Sequence, residues 1–196
     1  MPSTAVLVID MQNDTVHPDG AYAATGAAAH ATEQDVVANT LAVLEAARAS
    51  EVPVFYSRIL VYPVPGLSGD NAPIFQMLAP DTFTVGSWGA AVVDELTPRE
   101  DEMVLDRTRM SVFNGTGIDT MLRNLGVTTL VVVGAWTNMA VEHTVRDAAD
   151  HGYQVTVVAD ATSSLSPQWQ DAALGYALTN IATITDTATI TATLRG

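Results

Sequence analysis

Ala5-Val6-Leu7-Val8-Ile9 is an unbroken apolar run closed by Asp10, and it decides the fold class. It shows no alternation between apolar and polar positions, so it describes a strand covered on both faces, as strands of parallel sheets are. Comparable runs follow along the chain. They are Val54-Phe55-Tyr56 after Pro53, Met103-Val104-Leu105, Thr129 to Val133 stopped by Gly134, Gln154 to Val158, and Ile181 to Thr185. Helical patterns lie between them. Glu33 to Ala49 carries Val36, Val37, Leu41 and Leu44 at helical spacing, with Thr32 or Glu33 placed to meet the first free amides. Gly117 to Leu125 is closed by Gly126, Asn138 to Asp150 ends before Gly152, and Gln168 to Leu178 completes the set. Strand and helix alternate without an internal repeat or a linker. The expectation is one α/β domain over residues 1–196, a three-layer α/β/α, Rossmann-like arrangement around a six-stranded parallel sheet.

Two regions resist this pattern. Val61 to Gly86 holds Pro63, Pro65, Gly66, Gly69, Pro73 and Pro80, and reads as a long irregular excursion of the kind that walls a pocket. From Thr183 to Thr193 every odd position is threonine. That period of two favours a strand, yet Asp186 or Thr187 is equally placed to cap a terminal helix.

The composition narrows the function classes. In 196 residues there are 8 basic and 22 acidic side chains, a formal net charge of −14, and 48% hydrophobic residues. Every basic residue is arginine, and there is neither lysine nor cysteine. Disulfides, thiolate metal sites and a cysteine nucleophile are therefore excluded for the chain as written. Nucleic acid is not an expected partner, because phosphate binding needs clustered cations. Met1-Pro2-Ser3-Thr4 lacks a basic region and Ala5 to Ile9 is too short to span a bilayer, so no membrane association and a cytoplasmic location are expected.

In open parallel sheets, ligands sit beyond the carboxyl ends of the strands, where strand order reverses. Asp10, Ser57, Arg58, Arg107, the segment Gly134 to Ala140, and Asp160 hold such positions. A carboxylate at the mouth of a buried strand loses hydration, which raises its pKa and suits it to proton transfer. Asp10 could equally cap the Asn13-Asp14 turn. Arg107 could hold Asp10 or a substrate carboxylate, but beside Arg109 its spacing favours an exposed side chain.

Four blocks carry a resemblance. They are Val8-Ile9-Asp10-Met11-Gln12-Asn13-Asp14; Arg107 to Phe113 with Gly115-Thr116; Gly134-Ala135-Trp136-Thr137-Asn138-Met139-Ala140-Val141-Glu142-His143-Thr144; and Ala159-Asp160-Ala161-Thr162-Ser163-Ser164. In this order and spacing the chain resembles the isochorismatase-like hydrolases, a superfamily of nicotinamidases, carbamoyl-amide hydrolases and isochorismatases. The resemblance implies an Asp-Lys-Cys triad in which Asp moves the proton, Lys orders the pair and Cys attacks the carbonyl. Asp10 matches, but Arg107 stands at the Lys position and Ala140 at the Cys position. It also implies an oxyanion hole formed by the backbone amides of Trp136 and Ala140, with a cis bond at Ala135-Trp136.

Gln12, Arg58, Trp88, Phe113 and Trp136 are the substrate-binding candidates, the three aromatic residues as walls. No cofactor is expected. No metal is expected either, since Ser57-Arg58-Ile59-Leu60 lacks the histidines of the nicotinamidase branch. The implied activity is hydrolysis of an amide or ureido C–N bond in a small molecule, by a chain that lacks the thiol. The alternatives are thiol-independent hydrolysis of the isochorismatase type with Asp10 as acid, and a binding or scaffold protein. Ala140 is either a designed Cys→Ala change or a natural loss. One designed change leaves Arg107 unexplained, and the lack of lysine and cysteine elsewhere fits a natural loss. A homo-oligomer, dimer or tetramer, is the expected assembly.

Overall fold

The computed structural model describes residues 4–78 and 81–196. Residues 1–3 and Pro80, used above for the leader and the excursion, lie outside them. Six parallel strands form one sheet: β1 (Thr4–Ile9), β2 (Val54–Ile59), β3 (Met103–Arg107), β4 (Thr129–Ala135), β5 (Gln154–Ser163) and β6 (Thr183–Thr185). Their order is β3-β2-β1-β4-β5-β6, so the direction of winding reverses between β1 and β4. That reversal opens a crevice at the carboxyl ends of these two strands.

The helices are α1 (Asn13–Val16), α2 (Ala27–Glu33), α3 (Val36–Ala49), α4 (Pro73–Gln76), α5 (Ile118–Asn124), α6 (Glu142–Asp150), α7 (Pro167–Ala172) and α8 (Thr187–Arg195). The period-two geometry of β1 divides its apolar run between two cores. Leu7 and Ile9 pack with Ile118 and Leu122 of α5 and Val145 of α6. Val6 and Val8 pack with Val43 and Leu44 of α3 and Ile190 of α8. The sheet is therefore covered on both faces, which is why its strands read as solid hydrophobic runs.

Several boundaries differ from the sequence reading. The helix expected from Glu33 is two helices, because Asp35 takes a left-handed backbone (φ 50°) and breaks it. Neither Thr32 nor Glu33 caps α3; the N-cap is Asp35, with no side-chain cap bond. Gly134 does not stop β4. It lies inside the strand at φ 118°, where a Cβ would stand 2.0 Å from the carbonyl oxygen of Ile9. Only glycine lets β4 pass β1 this closely while its register to β5 shifts. β5 likewise continues through Asp160 to Ser163. The threonine-rich tail adopts both readings in turn, three residues of strand and then α8. Asp186 caps that helix by accepting the Thr189 amide at 2.7 Å.

Candidate functional site

Asp10 ends β1 in a left-handed conformation (φ 50°), which turns the chain away from the sheet at the crevice. Arg107, the last residue of β3, reaches across to it. Nη1 donates to Oδ1 at 2.7 Å and Nη2 to Oδ2 at 2.8 Å, a bidentate pair. Both residues are almost completely buried, at 4% and 3% exposure. Arg107 is thus not the exposed side chain that its spacing beside Arg109 suggests: the guanidinium is sequestered, and its Nε and Nη2 also donate to the Met110 carbonyl at 3.1 and 2.8 Å. Burial pushes the Asp10 carboxyl above its ordinary value, against the opposing pull of Arg107. Its side chain meets Arg107 rather than the Asn13-Asp14 turn.

β4 delivers the second wall. Its end passes through a cis peptide bond at Ala135-Trp136, where the resemblance places one. A single wide turn, Thr137–Val141, then leads directly into α6. The Thr137-Asn138 pair explains how this turn is held. The Thr137 hydroxyl donates to Gln170 Oε1, and the Ser164 hydroxyl donates to Asn138 Oδ1. Gln170 is itself fixed on the carbonyls of Ala159 and Thr162 at 3.0 and 3.1 Å. At the far end, the Thr144 hydroxyl donates to the Ala140 carbonyl at 2.7 Å and accepts the Val112 amide at 3.1 Å. Sequence reading missed Thr144 and Gln170, which touch only backbone and neighbouring side chains.

Asp10, Trp136 and Ala140 line one cavity at the crevice. The irregular segments close it: Tyr22 and Phe83 stack at 5.5 Å, and Tyr22 meets Trp136 edge-on at 5.3 Å. Asp14 ties these segments together, accepting the Phe83 amide at 2.8 Å and the Ala21 amide at 3.1 Å. No periodic pattern marks loop residues such as Tyr22 and Phe83, and Asp14 sits in a four-residue helix too short to show one.

The other candidates stand elsewhere. Arg58 pairs with Asp106 at 2.8 Å and does not line the cavity. Trp88 is half exposed and meets His17 edge-on. Phe113 stacks with His151 and leans on Tyr153. Gln12 is fully buried beneath the site. Its Oε1 accepts the Ile59 amide at 2.9 Å, while Nε2 donates to the carbonyls of Ile59 and Ala90 at 2.9 and 3.0 Å. Gln12→Leu leaves those backbone groups unpaired in the interior. It is expected to cost about 2–4 kcal/mol, read as a lower midpoint in urea unfolding; a loss under about 1 kcal/mol contradicts the role. Among the described residues, no group of three or more His, Asp or Glu is placed to hold a metal ion. No helix among them is long and apolar enough to cross a membrane.

A doubly wound parallel sheet with a carboxylate at the end of β1 and a cradle of backbone at the end of β4 defines an α/β protein with a small-molecule pocket at its switch point. The chain belongs to the isochorismatase family: the model of the isochorismatase domain matches residues 4–189. Among curated relatives, the ureidoacrylate amidohydrolase RutB of Methylobacterium radiotolerans is 34% identical over 179 residues, covering 85% of this chain and 69% of that protein. The N-carbamoylsarcosine amidase of an Arthrobacter species is 29% identical, covering 84% and 62%. Among solved structures, a cysteine hydrolase of Pseudomonas syringae pv. phaseolicola superimposes with a TM-score of 0.82 at 27% identity, covering 99% of this chain and 94% of that one. An isochorismatase family protein of Desulfovibrio vulgaris gives 0.84 at 28% identity, covering 100% of both chains.

Proposed function

We propose that this chain is an amide- or ureide-directed member of its family that binds a small carbonyl compound but lacks the covalent step. One observation carries the reading: Ala140, Asp10 and the turn after the cis bond share a single cavity, and the side chain at 140 is a methyl group. A methyl has no lone pair with which to attack a carbonyl. The relatives named as a ureidoacrylate amidohydrolase and an N-carbamoylsarcosine amidase support the substrate class. In this reading the amides of Trp136 and Ala140 face the substrate's carbonyl oxygen, and Asp10 holds the proton that the departing amine needs. Arg107 keeps the Asp10 carboxyl fixed.

The test is a panel of small primary amides and ureides, followed for ammonia release. The chain as it stands is expected to bind members of the panel without turnover, and Ala140→Cys to hydrolyse at least one. A correctly folded Ala140→Cys variant that hydrolyses none overturns the reading.

A second reading rests on the burial that lifts Asp10, which suits a general acid acting without a thiol, as on a vinyl ether. It requires turnover by the present chain that Asp10→Asn abolishes. That result would replace the first reading.

A further inference from the structure

We infer that the cavity selects an uncharged ligand, an amide or urea on a single apolar ring or short hydrocarbon, and rejects one that carries a carboxylate. The inference deepens the proposed function and rests on it for the amide or urea group; the charge preference follows from the walls.

Those walls include Ile59, Ile74, Leu78, Phe83, Met110 and Met139, all hydrocarbon or thioether. The ionisable carboxyl among the lining residues is Asp10, an anion when charged. The cation behind it, Arg107, has its charge answered by that same carboxylate in a buried pair. Arg107 places two N–H groups on Asp10 and directs Nε and Nη2 to the Met110 carbonyl. Arg58 is held by Asp106. Arg109 lies over the Phe75 ring, 4.0 Å from its centroid, and donates to Ser68 and Asn71 at 3.0 Å each. A ligand carboxylate would thus be desolvated beside Asp10 with no free counter-charge, and a buried unpaired anion is strongly disfavoured.

What the cavity does leave open is neutral. The Thr15 hydroxyl and the Trp136 indole N–H, on residues that line it, are buried without a hydrogen-bond partner. Both can donate to a carbonyl oxygen or a ring nitrogen. The Tyr22, Phe83 and Trp136 rings form an aromatic corner, which suits a flat apolar ring carrying one polar group.

Matched pairs test this in the chain as it stands, by titration calorimetry: phenylurea against para-ureidobenzoate, and phenylacetamide against its para-carboxylate. The neutral member of each pair is expected to bind about tenfold or more tightly. Met77 lines the same cavity but is half exposed, so Met77→Arg adds a cation at the mouth at little structural risk. It is expected to narrow or reverse the gap. Equal or tighter binding of the carboxylates, no binding of the neutral members, or a gap that Met77→Arg leaves unchanged would each overturn the inference. The proposed function fails separately. Selective binding of neutral members with no ammonia from Ala140→Cys sinks that reading alone, whereas turnover of only the carboxylated amide sinks this one.

Discussion

Ala140→Cys is expected to convert the chain from a binder into a hydrolase of small amides, with an acyl group on residue 140 visible by intact-mass spectrometry. Position 140 is 3% exposed, lies where the turn after β4 enters α6 and lines the cavity, so a new thiol stands where the proposed substrate would bind. The start of a helix favours the thiolate. Asp10 remains able to take its proton. Arg107 donates one hydrogen bond to each carboxylate oxygen, which leaves the group acceptor capacity, and burial raises its affinity for a proton. The thiolate then adds to the carbonyl carbon. The C–N bond breaks as Asp10 returns the proton to the amine, and water hydrolyses the thioester to release the acid. In the Ala140→Cys background, Asp10→Asn should lower the rate by roughly 10²–10⁴-fold, the usual contribution of a positioned proton carrier. A rate indifferent to Asp10→Asn would place the proton transfer elsewhere.

Much of this was legible in the sequence because it rests on local pattern. The run Ala5 to Ile9 announces a strand covered on both faces, and the alternation of such runs with helical periods specifies the layers. The blocks around Asp10 and Ala140 place the switch point. Other features depend on groups far apart in the chain. Asp35 breaks a helix by adopting a conformation that periodicity does not encode. Gly134 looked like a terminator, but it is needed where Ile9, 125 residues earlier in numbering, comes within contact of β4. Arg107 beside Arg109 looked like solvent-exposed charge, because nothing local reveals that Asp10 awaits it across the sheet. Trp88 and Phe113 had the right chemistry for pocket walls but sit against His17 and His151. Several residues that enclose the cavity, Tyr22, Leu78, Phe83 and Met110 among them, come from loops, where neither a period of two nor of 3.6 applies.

Arg107→Met carries the largest expected loss of stability. It removes the counter-charge from a carboxylate that is 4% exposed, and it also leaves the Met110 carbonyl without its donors. Breaking a buried ion pair from one side costs about 3–5 kcal/mol, since the remaining charge is neither hydrated nor paired. The pH dependence identifies the cause. Asp10 is already raised above its ordinary 3.8 by burial, and the substitution deletes the attraction and hydrogen bonds from Arg107 that oppose that rise. The folded variant therefore binds the Asp10 proton still more tightly than the unfolded chain does. Stabilisation from that proton is fully present below 3.8 and is lost as pH rises through the folded-state value. The deficit against the parent should thus be greatest near about pH 7 in urea unfolding and should shrink toward about pH 4. Arg107→Lys keeps the charge but not the two-pronged geometry, so it should recover part of the loss. A deficit that is flat with pH would mean that Arg107 acts through packing rather than through the Asp10 charge. The pair would then have to be read as a structural strut, not as the feature that holds a proton carrier in place.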